Sequence, residues 1–115
     1  MSLFKFGEFE IEVDVSDVKY LERYEEAFEE YNKMIGKVPD TGKESDKVRY
    51  ICNLIFDVFD RIFGEGAHEK MFGDRMSGDL CIQALYALMA MNKEYAEKAK
   101  ASTATLNRAR RRAKK

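Results

Sequence analysis

The stretch that decides the fold is residues 48–63, VRYICNLIFDVFDRIF. Ten of these sixteen residues are apolar, and they recur at helical intervals around most of the circumference. A helix that is apolar on most sides is buried against several neighbours. Its polar residues leave one solvated edge, formed by Arg49, Asn53, Asp57, Asp60 and Arg61. We therefore expect a central helix that its neighbours enclose, with no cleft beside it where chemistry could occur.

The composition and charge layout favour one helix-rich domain with a basic tail. The chain has 115 residues, of which 45% are hydrophobic and 36% charged, with one proline and no tryptophan. Residues 1–97 hold all 21 acidic residues and 12 of the Lys and Arg, so their net charge is −9. Residues 98–115 hold the other 8 basic residues and no acidic one. We expect residues 1–101 to form a single globular domain. Residues 102–115 are expected to form a flexible, disordered basic C-terminal tail.

Before the central helix, the alternating residues 3–13, LFKFGEFEIEV, predict a β-hairpin. A two-residue turn at Gly7 and Glu8 places four apolar side chains on one face, namely Phe4, Phe6, Phe9 and Ile11. Two strands alone are marginally stable, so this face needs a cover. The predicted fold class is α+β, with the N-terminal β-hairpin packed on a bundle of three main α-helices at about 16–35, 45–63 and 78–101.

Local signals predict where the helices begin and end. Asp14 or Ser16 can cap the first helix, and Gly36 is expected to end it in the left-handed conformation. A glycine-rich connector, residues 64–78, follows the central helix. It is predicted to hold a single helical turn from Ala67 to Phe72.

The cysteines and the hydropathy indicate a cytoplasmic protein. Cys52 and Cys81 lie in apolar helical stretches, which is typical of small buried side chains in a reducing compartment. The N-terminus lacks the features of a signal peptide, and no segment is apolar enough to span a membrane. We expect a location in the cytoplasm and no membrane partner.

The sequence predicts no enzymatic chemistry. His68 is the only histidine and has no second His or Cys at ligand spacing, so we expect no metal site and a packing or capping role for this ring. Residues 36–44, GKVPDTGKE, resemble a phosphate loop only superficially, because the glycine spacing is wrong and Glu44 replaces the required Ser or Thr. Asp57 and Asp60 are expected to be solvated. We expect no catalytic residue and no cofactor.

The candidate functional residues are therefore partner-binding ones. The glutamate-rich face of the first helix suits either a partner surface or simple solubility. Flexible methionines are common on adaptable binding surfaces, which makes Met71 and Met76 candidates with Phe72, whereas Met89 is expected to fill the core. The tail contributes six basic candidates: Arg108, Arg110, Arg111, Arg112, Lys114 and Lys115. They could bind nucleic acid, an acidic protein or the acidic body of a neighbouring copy, or remain solvated, and nucleic acid is disfavoured because the tail lacks aromatic residues and the body is acidic.

Several segments resemble a family of small proteins from tailed phages and prophages of Gram-positive bacteria. They are FGEFEIEV, the helix YLERYEEAFEEYNKM, the run FDVFDRIFGEGAHEKMFG and the ending NRARRRAKK. The most specific are residues 56–73 and 107–112. Such proteins look like tail assembly chaperones.

The resemblance implies a non-enzymatic morphogenesis factor that binds the tape-measure protein and tail-tube subunits. A helical client could dock against exposed parts of the first and third main helices. Homo-oligomers are possible, because the hairpin has open edges that can pair within or between copies. Two alternatives stay open: a small phage nucleic-acid-binding or regulatory protein acting through its basic tail, and an acidic inhibitor of a host DNA-binding protein.

Overall fold

The computed structural model describes the backbone of residues 2–113 and the side chains of residues 2–98. Two strands, β1 (Ser2–Phe6) and β2 (Phe9–Val13), precede four helices: α1 (Val18–Ile35), α2 (Glu44–Phe63), α3 (Ala67–Phe72) and α4 (Gly78–Ala113). The strands form a two-stranded antiparallel sheet. This confirms the predicted α+β fold, in which the hairpin lies on three main helices and the short predicted turn is α3.

The hairpin has the predicted register, with Phe4 opposite Ile11 and Phe6 opposite Phe9. Gly7 takes a φ of +61°, and a Cβ there would lie 3.4 Å from the carbonyl oxygen of Met71, so the turn favours glycine. Phe4 is 2% exposed, and its ring stacks on Phe63 with centroids 5.2 Å apart. Helix α2 thus covers the apolar face that the hairpin cannot bury alone.

Helix α2 supplies the centre of the core, as its sequence predicts. Its buried residues are Cys52, Ile55, Val58, Phe59 and Ile62. Phe59 lies between the hairpin and α3, with its ring centroid 5.7 Å from that of Phe4 and 6.2 Å from that of Phe72. Cys52 of α2 and Cys81 of α4 are free thiols with no exposed surface, so the predicted burial of both is confirmed.

The predicted end of α1 at Gly36 is confirmed, but the predicted N-cap and the predicted left-handed conformation of Gly36 are wrong. The N-cap is Asp17, whose carboxylate accepts a hydrogen bond from the backbone N–H of Tyr20 at 3.1 Å. Asp14 instead accepts bonds from the backbone N–H and the hydroxyl of Ser16 and forms the turn before the helix. Gly36 has a right-handed φ of −69°, because the chain continues into a turn in which Lys37 N–H donates to the Met34 carbonyl oxygen.

Replacing Asp17 with alanine should lower the free energy of unfolding by about 1 kcal/mol, because an N–H of the first turn loses its partner. Ser16→Ala is the control and should change it by less than about 0.5 kcal/mol, since Ser16 is exposed and bonds no helical N–H. Urea denaturation of the two variants measures both values. A larger loss for Ser16→Ala than for Asp17→Ala would contradict the assignment of the cap.

The connector after α2 is fixed by Asp60 and His68. The ring Nδ1 of His68 lies 2.8 Å from Asp60 Oδ2, and the His68 backbone N–H donates to Asp60 Oδ1 at 3.1 Å. The imidazole also stacks on Phe56 with centroids 4.6 Å apart. The packing role predicted for His68 is confirmed. The prediction of a solvated Asp60 is wrong, because its half-buried carboxylate holds the connector.

Helix α4 is longer than the sequence predicts. The predicted end is near residue 101 with a disordered tail from residue 102, but the helical backbone continues to Ala113. No glycine or proline follows Gly78, and alanine, lysine and arginine, which dominate the last turns, are good helix formers. Lys114 and Lys115 lie outside the described residues.

Candidate partner-binding groove

Aromatic side chains follow one side of α1. Tyr20, Tyr24, Phe28 and Tyr31 are three or four positions apart, so their rings succeed one another along the helix with centroid separations of 6.1, 4.6 and 6.3 Å. Tyr20 is buried, whereas Tyr24, Phe28 and Tyr31 are half-buried. The three half-buried rings therefore form an aromatic edge of α1 that the fold leaves partly open.

A second apolar surface runs along α4, and we call it the α4 stripe: Ile82, Tyr86 and Met89. These residues are i, i+4 and i+7, so they share one face, and they are 40%, 65% and 42% exposed. The face that packs on α2 is made of other residues of the same helix, namely Cys81, Ala84, Leu85 and Leu88. The prediction that Met89 fills the core is wrong, because the buried positions of α4 are already taken.

The aromatic edge of α1 and the end of the α4 stripe border one groove. It has a volume of about 530 Å³. Its lining is mostly apolar and consists of Val15, Leu21, Tyr24, Glu25, Met89, Ala90, Asn92, Lys93, Tyr95 and Ala96. We call it the α1–α4 groove.

A single hydrogen bond ties α1 to α4 beside this groove. The hydroxyl of Tyr20 donates to Asn92 Oδ1 at 2.8 Å. Burial, together with the neighbouring Tyr24, raises the pKa of the Tyr20 phenol above its usual value, and the bond to Asn92 opposes this only in part. The Tyr20 hydroxyl therefore stays protonated and remains a donor, which holds the two walls of the groove in register.

The exposed side of α1 is acidic, and one of its acidic residues, Glu25, lines the groove together with Lys93 of α4. Glu22, Glu25, Glu26 and Glu29 are exposed, and residues 1–30 hold ten Asp and Glu against three Lys and Arg. Within the part of the chain that the structure describes, none of the ten forms an ion pair. An apolar groove with an acidic border suits an apolar partner that carries positive charge.

A smaller cleft lies at the C-terminal end of α2. It has a volume of about 340 Å³, lies between β2, the start of α1 and the end of α2, and includes Arg23 and Arg61 in its lining. Arg61 Nε already pairs with Asp57 Oδ2 at 2.6 Å. Its described lining also includes the carboxylates of Glu12, Asp14 and Asp17, and no serine, cysteine or histidine.

The sequence-predicted candidates are not brought together. Met71 and Phe72 are 7% and 6% exposed, because α3 packs them against α2 and the hairpin. The prediction that they bind a partner is therefore wrong. Met76 is 40% exposed on the loop before α4. Arg108, Arg110, Arg111 and Arg112 belong to the α4 backbone, but their side chains lie outside those described, as do Lys114 and Lys115 altogether.

The sequence analysis did not identify Ile82 and Tyr86 as exposed, and it placed Met89 in the core. One signal was available, because the apolar residues of residues 80–91 occupy more of the helix circumference than one contact face needs. Deciding which of them stay exposed requires the position of α1, which no local pattern gives.

Comparison with known proteins gives a family but no function. A protein-family model described as a family of unknown function matches residues 7–115. No curated protein and no solved structure matches the chain. Among the described residues, no helix is long and apolar enough to cross a membrane, and no group of three or more His, Cys, Asp or Glu is arranged to hold a metal ion.

Proposed function

The chain belongs to DUF6673, a family of unknown function, and we propose that it is a non-enzymatic binding protein that acts as a tail assembly chaperone of a tailed phage or prophage. Its clients are the tape-measure protein and tail-tube subunits, and its site of action is the cytoplasm of the bacterial host. The family resemblance in residues 56–73 and 107–112 motivates the choice of clients.

The observation that carries the proposal is the exposed apolar surface along α1 and α4. Tyr86 is 65% exposed beside two further exposed apolar residues of the α4 stripe, and the α1–α4 groove continues this surface. Contiguous apolar surface of this kind marks interaction sites in soluble proteins. A groove between two helices accepts the apolar face of a third helix, with anchors at i, i+3, i+4 and i+7.

The acidic border defines the client segment further. Glu22, Glu25, Glu26 and Glu29 favour an amphipathic helix whose polar side carries Lys or Arg. A long helical client with many such segments would bind several copies of the chaperone, so weak single contacts suffice. Coating these segments keeps their apolar faces out of water and away from one another until assembly.

Co-expression with the tape-measure protein tests the proposal. The soluble yield of the tape-measure protein should rise several-fold with the wild-type chaperone and return to its unassisted value with the double variant Tyr86→Glu and Met89→Glu, which places two charges on the α4 stripe. Val18→Glu is the matched control, because Val18 is 66% exposed but outside the stripe and the groove lining.

Circular dichroism of the purified variants verifies that each is folded. An unchanged client yield with the wild-type protein contradicts the choice of client. A yield that rises equally with the wild type and the double variant contradicts the assignment of the surface.

A further inference from the structure

We propose that residues 98–115 of a second copy of this chain cover the α1–α4 groove when no client is bound. We call these residues the basic segment. The inference rests on the proposed function in one respect, namely that the groove is a binding site. It adds which segment occupies the groove when no client is bound.

The charges at the two ends of the chain are complementary. Residues 1–30, which include one wall of the groove, carry ten acidic and three basic residues, a net charge of −7. The basic segment carries eight basic residues and no acid. Residues 31–97 are almost balanced, with eleven acidic and nine basic residues. The attraction is therefore concentrated between residues 1–30 and the basic segment.

The geometry directs the basic segment to another molecule. Helix α4 passes the start of α1 at the Tyr20–Asn92 hydrogen bond and continues to Ala113. The sixteen helical residues after Glu97 add about 24 Å of length, and the molecule measures 67 × 32 × 21 Å. An uninterrupted helix without glycine or proline does not fold back on its own globular part. Lys98, at the start of the segment, pairs with Glu94 of the same helix, and the acidic residues of α1 that the rest of the segment can reach are those of a second copy.

The groove suits this occupant. The apolar residues of the basic segment are five alanines and Leu106, and small residues let a helix approach a narrow groove closely. The lining of the groove is mostly apolar, with Glu25 of α1 and Lys93 of α4 as its charged residues, and Glu22, Glu26 and Glu29 are exposed on the same helix as Glu25. A segment with small apolar residues and eight basic residues fits an apolar groove with an acidic helix on one side. A client with basic amphipathic helices would compete for the same place.

The test is a charge exchange in the full-length chain, measured by light scattering coupled to size-exclusion chromatography without any client. One variant reverses the border of the groove, with Glu22, Glu25, Glu26 and Glu29 each changed to Lys. The other reverses the basic segment, with Arg108, Arg110, Arg111 and Arg112 each changed to Glu. At about 0.05 M salt the wild type should self-associate, and at about 0.5 M it should dissociate because the charges are screened.

Each variant alone should associate at least about a hundredfold more weakly than the wild type, since like charges now face each other. An equimolar mixture of the two should associate again, and so should a single chain that carries both sets of changes. A third variant is the control for total charge. It changes four exposed acidic residues to Lys, namely Asp40, Glu65, Glu69 and Asp74. Its self-association should equal that of the wild type.

Three outcomes would overturn the proposal: a wild type that stays monomeric at low salt, a mixture that fails to associate, or a control variant that dissociates as the border variant does. Retention of the wild type on nucleic acid that is lost in the segment variant, without any change in self-association, would also overturn it. Because no client is present, these outcomes test the self-association alone. The proposed chaperone function is tested separately by the co-expression experiment.

Discussion

Replacing Phe59 with alanine is expected to lower the free energy of unfolding by about 3–5 kcal/mol, the range for a buried aromatic side chain truncated in a core. Phe59 has no exposed surface, and its ring packs between those of Phe4, Phe63 and Phe72 at centroid distances of 5.7, 6.1 and 6.2 Å. The truncation therefore leaves a cavity where the hairpin, α2 and α3 meet. Urea denaturation followed by circular dichroism measures the loss.

A loss of this size removes a large part of the stability of a small domain, which is about 5–15 kcal/mol in total. Tyr86→Ala is the control, because it removes a similar ring from a position that is 65% exposed and should change the free energy of unfolding by less than about 0.5 kcal/mol. Equal losses for the two variants would mean that α2 is not the centre of the core.

The Cys81 thiol is expected to react at about pH 8 at least about a thousandfold more slowly in the folded protein than in the urea-unfolded chain. Burial, with the neighbouring Cys52 thiol as its hydrogen-bond partner, raises the pKa of Cys81 from 9.0 to about 12. A rise of about three pH units lowers the reactive thiolate fraction about a thousandfold. Alkylation followed by peptide mass spectrometry measures the rate, and equally fast labelling of the folded protein would contradict the packing of α2 against α4.

The same raised pKa predicts how stability depends on pH. Below about pH 9 the Cys81 thiol is protonated in both states, so its contribution to stability is fully present. As the pH rises from about 9 to 12, the unfolded chain releases the proton while the folded protein retains it, and the free energy of unfolding falls by up to about 1.4 kcal/mol per pH unit. The raised pKa of the Tyr20 phenol acts in the same direction. In Cys81→Ala the decline should be shallower over this range.

The parts of the fold that the sequence predicts correctly are those decided by neighbours along the chain. The register of the hairpin follows from the two-residue turn at Gly7 and the alternation around it, and a shift of one residue would expose Phe4. The central position of α2 follows from its apolar circumference. The cap at Asp17 was missed because three acceptors, Asp14, Ser16 and Asp17, occur within four residues, and the backbone decides which of them reaches an N–H.

The candidate groove was beyond sequence reasoning because its walls come from distant segments. Tyr24 and Met89 meet only after α1 and α4 have both packed on α2, and no local pattern encodes that meeting. Met71 was proposed for partner binding, with Phe72, because methionines are common on adaptable binding surfaces, yet the short helix α3 buries both side chains. The length of α4 depends on the small difference in free energy between a solvated helix and a disordered chain. Composition alone does not decide the sign of this difference.

The distribution of tyrosine around the groove gives the molecule an optical property of its own. The chain has six tyrosines and no tryptophan, so its ultraviolet emission comes from phenol rings alone. Five of the six belong to α1 and α4, namely Tyr20, Tyr24, Tyr31, Tyr86 and Tyr95, and Tyr50 lies on α2. Tyr24 and Tyr95 line the α1–α4 groove, and Tyr20 bonds to Asn92 of its lining. A partner that binds in the groove changes the surroundings of these three phenol rings, so its binding can be followed by the fluorescence of the unlabelled protein. A tryptophan in the partner would receive excitation energy from them.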